Sequence, residues 1–438
     1  MVPNIPLTNG TEFSSALALH RQGNLQQASE AYARILAENP HYTPALNNLA
    51  VIARDMGRFD MALTLLKESL RIEPGNADVL GNAGVIALQL KKFAEAERYL
   101  REALVHKPGQ PELRLQLAMA LYGQERFADA ASIFKALLRQ QPRNFDLLYN
   151  LGVIANRRGD DEEALDYFHK ALHVRSGDSP VLNQIAEIWL KRGYPERVQH
   201  FLDLSLASPV MNNRALALRA VALNLAGNEA ELQALYSYPK LLQVNQVSVA
   251  DEFGSVAEFN RRLIACLDAR VAMDADPAGQ ATVNGLHSAS ITHIDDPAMV
   301  EMNRLIMSGF QRAVAIARDC KGHPWADWIP DDVLIDSWTI RLRAGGYQRA
   351  HIHPRAWLSG CYYVQVPEAV TDDAEARPGW IAFGTPDEVY RVSQPLALHA
   401  HRPRAGDLVT FPSYFWHHTV PFQSAEERIS LAFDIVPR

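Results

Sequence analysis

Cysteine is scarce in this chain: Cys266, Cys320 and Cys361 are its three, an odd number with no C-x-x-C spacing. That excludes a disulfide framework and suits a reducing compartment. Long apolar runs are also missing, and no stretch approaches the roughly 20 apolar residues of a membrane-spanning helix. The first residues, MVPNIPLTNGTEFSS, hold no basic segment followed by an apolar core, so no secretory signal is read there and a cytoplasmic location is expected. Basic charge is not in excess. The 43 Lys and Arg against 50 Asp and Glu give a net charge of −7, which argues against broad electrostatic binding of nucleic acid. No glycine-rich phosphate loop and no Ser-His-Asp order stand out. Any chemistry therefore falls to the histidines. At 438 residues the chain is too long for one ordinary core, so two or more domains are expected.

What the N-terminal half does have is a period of 34 residues. Ala28, Ala62, Ala96, Ala130 and Ala164 keep this step, and so do Pro40, Pro74, Pro108 and Pro142. Gly23, Gly57, Gly159, Gly193 and Gly227 share the register, and Tyr32, Leu66, Leu100, Phe134 and Phe168 follow each alanine by four. Glycine ends a first helix, the small alanine lets a second helix pack closely, and proline stops it. The pattern resembles the tetratricopeptide repeat. About seven repeats are read over residues 9–242, the last two degenerate, with Val198 and Leu232 in place of the alanine. A second column, Asn48, Asn82, Gln116, Asn150 and Gln184, recurs in the first helices. It resembles the asparagine ladder of the O-linked N-acetylglucosamine transferase repeats. Side-chain amides donate and accept together, which suits recognition of a peptide main chain. The alternative is that they brace adjacent helices.

The period disappears near residue 243. VAEFNRRLIACLDARV and DPAMVEMNRLIMSGFQRAVAIARDC carry helical spacing, the second opening on an Asp-Asp-Pro start signal. Between them, His287 and His293 are isolated and are read as surface or packing residues. After residue 332 come short β-rich runs: VLIDSWTIRLR, LSGCYYVQVP, GWIAFGTP, GDLVTFPS, HHTVPF and RISLAFDIV. Many short strands predict a sandwich or jelly roll. His351 and His353, two apart, would face one side of a strand and could hold one metal ion. A third ligand must come from elsewhere, with His417 or His418 the candidates. Arg428 lies eleven positions beyond His417, and Ser430 shares its strand face. A second pair, His399 and His401, has no such accompaniment and is read as a strand end or turn.

Taken together, HIHPRAWLSGCYYV, GDLVTFPSYFWHHTVPF and RISLAFD resemble the iron(II)- and 2-oxoglutarate-dependent oxygenases, in a bacterial and phage branch often fused to tetratricopeptide repeats. The resemblance covers residues 332–438 closely and the preceding hundred loosely. It implies a double-stranded β-helix domain over residues 243–438, with its core at 332–438, and Fe(II), 2-oxoglutarate and O2 as participants. His351 and His417 would be facial ligands. His353 stands where the family's usual carboxylate would be, and either ligates or yields the position to water. His417 is preferred to His418 because it keeps the family's interval to arginine. Arg428 would bind the distal carboxylate of 2-oxoglutarate, assisted by Ser430 and Tyr347. Trp338, Tyr362 and Tyr363 are candidate pocket walls, with barrel core the better reading for most of them. The expected activity is hydroxylation of a peptide or protein held in the repeat groove, with no nucleic acid or membrane partner. Two other readings were weighed. A cupin dioxygenase independent of 2-oxoglutarate lacks its usual glutamate, since Trp357 and Leu358 occupy that place, and gives Arg428 no task. A repeat adaptor with an inactive barrel would require degraded metal and cosubstrate residues.

Overall fold

The computed structural model describes residues 8–208, 210–276, 280–372, 375–392 and 398–438. By packing, the chain divides into two compact units, Met1–Ser176 and Gly177–Arg438.

In the first unit ten α-helices follow one another as five pairs, from Thr8–Arg21 with Leu25–Glu38 to Phe145–Arg157 with Asp161–Val174. The register alanines and the bulky residues four positions on are all fully buried. Opposite each bulky side chain, the preceding helix presents a small residue. A Cβ placed on Gly84 would stand 2.5 Å from Leu100, and one on Gly152 would stand 2.5 Å from Phe168. The 34-residue period is thus a packing period: small against large, repeated until a continuous core forms.

The turn between paired helices needs a left-handed residue. Gly23, Gly57 and Gly159 supply it with φ of 79°, 73° and 78°. Two repeats lack the glycine, and there Lys91 and Glu125 adopt the same conformation, with φ of 55° and 59°. A side chain in that region costs about 1–2 kcal/mol, against a glycine entropy cost of about 0.5–1 kcal/mol. Lys91→Gly and Glu125→Gly are therefore each expected to stabilise the repeats by up to about 1 kcal/mol, read as a rise in the urea midpoint.

The second unit begins with the helices Ser179–Lys191, Gln199–Leu206, Asn213–Leu225 and Glu229–Tyr236, which continue the 34-residue register. Ten strands follow among the described residues: β1 (Gln243–Gln246), β2 (Met273–Ala275), β3 (Thr282–Ser288), β4 (Val333–Gln348), β5 (Leu358–Gln365), β6 (Ile381–Phe383), β7 (His399–His401), β8 (Asp407–Pro412), β9 (His417–Thr419) and β10 (Arg428–Pro437). Two further helices, Val256–Arg270 and Pro297–Asp319, interrupt them. The Asp-Asp-Pro signal works as its chemistry suggests: the Asp296 side chain accepts from the Ala298 N–H, and Pro297 takes the first helical position.

The strands form a seven-stranded sheet, β1-β8-β5-β10-β4-β3-β2, and a three-stranded sheet, β7-β6-β9, with every pairing antiparallel. This is the jelly-roll architecture expected of a double-stranded β-helix. Strand alternation gives β10 two characters. Ile429, Leu431, Phe433 and Ile435 join the large core with Phe259, Leu263 and Met302 of the flanking helices. Arg428, Ser430, Ala432 and Asp434 take the other face, where Ala432 meets Ile340, Leu342 and Phe422.

The large core also contains Leu190, Val198, Leu202, Leu216, Leu218 and Leu232. The helices of the last two repeats, inside the 9–242 array by period, thus share one core with the strands that follow. Period records which helices are alike, while packing records which side chains exclude water together, and the two divide this chain at different places.

Candidate metal centre

Two segments far apart in sequence meet through their backbones at a single bridge. The His351 N–H donates to the His417 carbonyl at 3.0 Å, and the His417 N–H donates back at 3.1 Å. His351 and His353 lie beyond the end of β4 rather than within a regular strand. Their two-residue alternation survives because the His353 N–H is itself held by the Ser413 carbonyl at 3.0 Å. The result is a cluster in which a ligand nitrogen from each of His351, His353 and His417 lies within 4.8 Å of the others.

Each imidazole is held from behind. The Nδ1 atoms of His351, His353 and His417 sit 2.7 Å from the Arg349 carbonyl, 2.9 Å from Asp434 Oδ2 and 2.9 Å from the Phe415 carbonyl. A ring donating Nδ1–H to such an acceptor keeps its Nε2 lone pair for a metal. His418 differs. It is outside the clustered ligand atoms, its Nδ1 is buried without a hydrogen-bond partner among the described residues, and burial pushes its pKa down. His417 is the histidine that joins the cluster.

Burial, reinforced by the charge His353 would carry, pushes His351 down to about 3. Burial and the same two neighbouring rings hold His417 well below the ordinary histidine range. Both rings are thus neutral at neutral pH, as metal ligation requires. A lowered folded-state pKa means that the unfolded chain binds the extra protons. The contribution to stability is complete above the unfolded value of about 6.5 and is lost as pH falls toward the folded value. The metal-free protein is therefore expected to melt at progressively lower temperature as pH drops from about 6.5 toward 4, measured by calorimetry, with a smaller effect in His351→Asn.

Arg428 and Ser430 lie buried on the same face of β10 as Asp434. No carboxylate ion-pairs with Arg428 among the described residues, and its Nε has no hydrogen-bond partner. Its guanidinium sits 4.8 Å from the centre of the Tyr363 ring. The Tyr363 hydroxyl lies beside the Cys361 thiol, and burial holds its pKa well above the ordinary phenol value, so it remains a donor. Tyr347 is half-buried on β4 opposite Val283, and Tyr363 is the tyrosine beside the arginine. Cys361 is pushed up to about 11 by burial and stays a thiol. Tyr362 turns to the helices instead, donating to Asn260.

A cavity of about 460 Å3 opens beside the cluster, with His351, His353, Asp434, Asp336, Trp338 and His287 on its walls. The Trp338 ring stacks between those of His353 and His287, at 5.8 and 6.0 Å. His287 thus belongs to the wall of the site, which its isolation in the sequence did not signal. The other histidine pair is structural: His401 Nε2 lies 2.9 Å from Asp407 Oδ2, and His399 stacks on Tyr238.

The amide column is half-buried throughout. Asn48 and Asn150 donate to carbonyls one turn back, at 2.8 and 2.7 Å, while Asn82 donates across repeats to Asn47 at 2.9 Å. Gln116 stands in the same column of the first unit, and Gln184 holds the corresponding place on the first helix of the second.

Residues 336–434 match the family described as "Putative 2OG-Fe(II) oxygenase". Residues 42–104 and 115–180 match two tetratricopeptide-repeat families. No curated protein matches the chain. Among solved structures, MamA from Desulfovibrio magneticus RS-1 is similar at 15% identity, covering 40% of this chain and 99% of that one, with a TM-score of 0.38. A tetratricopeptide repeat protein from Parabacteroides merdae is 19% identical over 51% of this chain and 87% of its own, with a TM-score of 0.38. YrrB, titled a TPR protein with an unusual peptide-binding site, is 17% identical over 45% and 99%, with a TM-score of 0.36. Two stretches of this chain, 42–104 and 115–180, are thus similar to tetratricopeptide repeats, and a third, 336–434, is similar to the 2OG-Fe(II) oxygenase family.

Proposed function

We propose that the protein is an Fe(II)- and 2-oxoglutarate-dependent oxygenase that hydroxylates a peptide or protein recruited by its repeats. The observation that carries this reading is a pairing of two features in one barrel. Three histidines present ligand nitrogens to one point, and a buried arginine has no carboxylate partner among the described residues. A buried cation of that kind is costly unless an anion meets it.

The residues fit the group. Imidazole suits iron(II), and a guanidinium fork matches a carboxylate with two parallel hydrogen bonds. When bound, iron and 2-oxoglutarate supply the oxidising chemistry: O2 is consumed, succinate and carbon dioxide are released, and one oxygen atom enters a substrate C–H bond. In this reading Arg428 holds the distal carboxylate, and the Tyr363 and Ser430 hydroxyls add donors beside it. Trp338, stacked on His353, limits ring motion and shields the ligands from water on the cavity side. The cavity volume lies within the range for a small ligand or a few residues of peptide. The amide column of the repeats offers main-chain recognition without demanding a particular sequence. Arg428 also separates this reading from a cupin dioxygenase, in which it has no task.

The test is consumption of 2-oxoglutarate under air. Succinate should form in proportion to added Fe(II) and cease in His417→Ala. Absence of succinate under all conditions, with a peptide library supplied, would remove the reading.

A further inference from the structure

Of the three imidazoles, two rest on backbone carbonyls and only His353 rests on a carboxylate. That carboxylate is not a loose surface group. The Asp434 side chain is 15% exposed, its Oδ2 takes the His353 Nδ1–H, and its Oδ1 accepts from Ser359 Oγ at 2.6 Å. Ser359 Oγ lies 2.7 Å from Ser413 Oγ, and the Ser413 carbonyl holds the His353 backbone N–H. The chain of bonds therefore closes on itself: His353 ring, Asp434, Ser359, Ser413, His353 backbone. Two strands, the turn after β8 and the ligand loop contribute to it. No lysine or arginine pairs with Asp434 among the described residues. Both of its oxygens are engaged, and it stands outside the group of ligand atoms that share one centre.

We propose that Asp434 is a positioning residue for the metal, fixing His353 in the tautomer that ligates through Nε2 and supplying negative charge one hydrogen bond away from the ion. This rests on the reading that the three histidines bind a divalent metal. Three neutral imidazoles bring no charge of their own, so the nearest compensating anion lies behind the ring instead of on the metal. An outer carboxylate of this sort raises the basicity of its histidine and fixes the ring plane, and its loss typically weakens metal binding by about 10- to 100-fold. Substitution by asparagine preserves shape but not direction. If the amide nitrogen turns to His353, the ring must accept at Nδ1 and carry its proton on Nε2, where the metal would bind.

The test uses the full chain and Co(II), added without oxygen, whose visible bands report ligand geometry. The wild-type protein is expected to take up one Co(II) with a defined spectrum. Asp434→Asn should bind about 10- to 100-fold more weakly with shifted bands, while the metal-free variant melts within a few degrees of wild type. Asp434→Glu should recover part of the affinity. If Asp434→Asn binds Co(II) as tightly as wild type with the same spectrum, the proposal is overturned. Should Asp434→Asn fail to fold, Ser359→Ala carries the test. It keeps the carboxylate and removes one of its donors, and a several-fold loss with shifted bands is expected, whereas unchanged affinity and spectrum overturn the proposal. Absence of Co(II) uptake by the wild-type chain overturns the metal reading itself, a result distinct from tight binding that ignores Asp434.

Discussion

Replacing Arg428 by methionine is expected to do two opposite things at once. Affinity for 2-oxoglutarate should fall by the cost of removing one partner of a buried charge pair, about 2–5 kcal/mol, or roughly 30- to 5000-fold. The metal-free, cosubstrate-free protein should hold its melting temperature or gain a few degrees. Arg428 is 2% exposed, no carboxylate pairs with it among the described residues, and the face of Tyr363 lies against its guanidinium. A methionine fills similar volume without burying a cation. Arg428→Lys should lie between the two, keeping the charge and losing the fork. Thermal shift with and without 2-oxoglutarate reads both effects in one experiment, since a ligand that binds only the native state raises its stability. A residue kept for structure alone would lower the melting temperature when replaced and leave the ligand shift intact.

The second large effect concerns where the chain can be cut. A protein beginning at Gly177 is expected to fold and bind metal, and one beginning at Gln243 is expected to do neither. The deciding contacts run from the last repeat helices to the segments that carry the ligands. The Asn213 side chain donates to the Ala356 carbonyl, three residues beyond His353. Trp416, next to His417, donates from Nε1 to the Ala217 carbonyl at 3.2 Å. The Tyr414 hydroxyl donates to the Leu235 carbonyl. Removing residues 177–242 also strips Leu190, Leu202, Leu216, Leu218 and Leu232 from the shared core. At about 1.5–3 kcal/mol for each buried side chain, the loss is comparable to the roughly 5–15 kcal/mol that holds an ordinary domain together. Circular dichroism and metal titration of the two truncated chains check this, and a soluble, metal-binding chain from Gln243 would contradict it.

These expectations show how far the sequence was legible. The repeat period was readable because each unit packs mainly on its neighbours, so one pattern of small and large residues is written again every 34 positions. The six strand runs after residue 332 are readable from β-branched and aromatic residues between turn formers, and each overlaps one of the observed strands. The candidate cluster is readable because His351, His417 and Arg428 keep a spacing that resembles a known pattern, with His353 at the place where that pattern usually has a carboxylate. Asp434 lies within RISLAFD, where nothing in the local pattern marks it as a partner of the cluster. Its role depends on a contact with His353, 81 residues away, and spacing along one strand does not announce such a contact. Tyr363 lies beside the arginine for a similar reason: the pairing of β5 with β10 puts it opposite Ser430, and register between distant strands is not written locally. The histidine pair at 399 and 401 marks the converse case, in which a local motif resembles a ligand pair and the fold spends it on Asp407 and Tyr238.

The central claim is that one barrel holds both a three-histidine metal site and an arginine-anchored 2-oxoglutarate site. Anaerobic addition of 2-oxoglutarate to the protein loaded with Fe(II) tests both halves together. The account predicts a visible charge-transfer band that saturates with one equivalent of 2-oxoglutarate, disappears in His417→Ala, and in Arg428→Met requires roughly 30- to 5000-fold more cosubstrate. Fe(II) binding with no band at any 2-oxoglutarate concentration would contradict it.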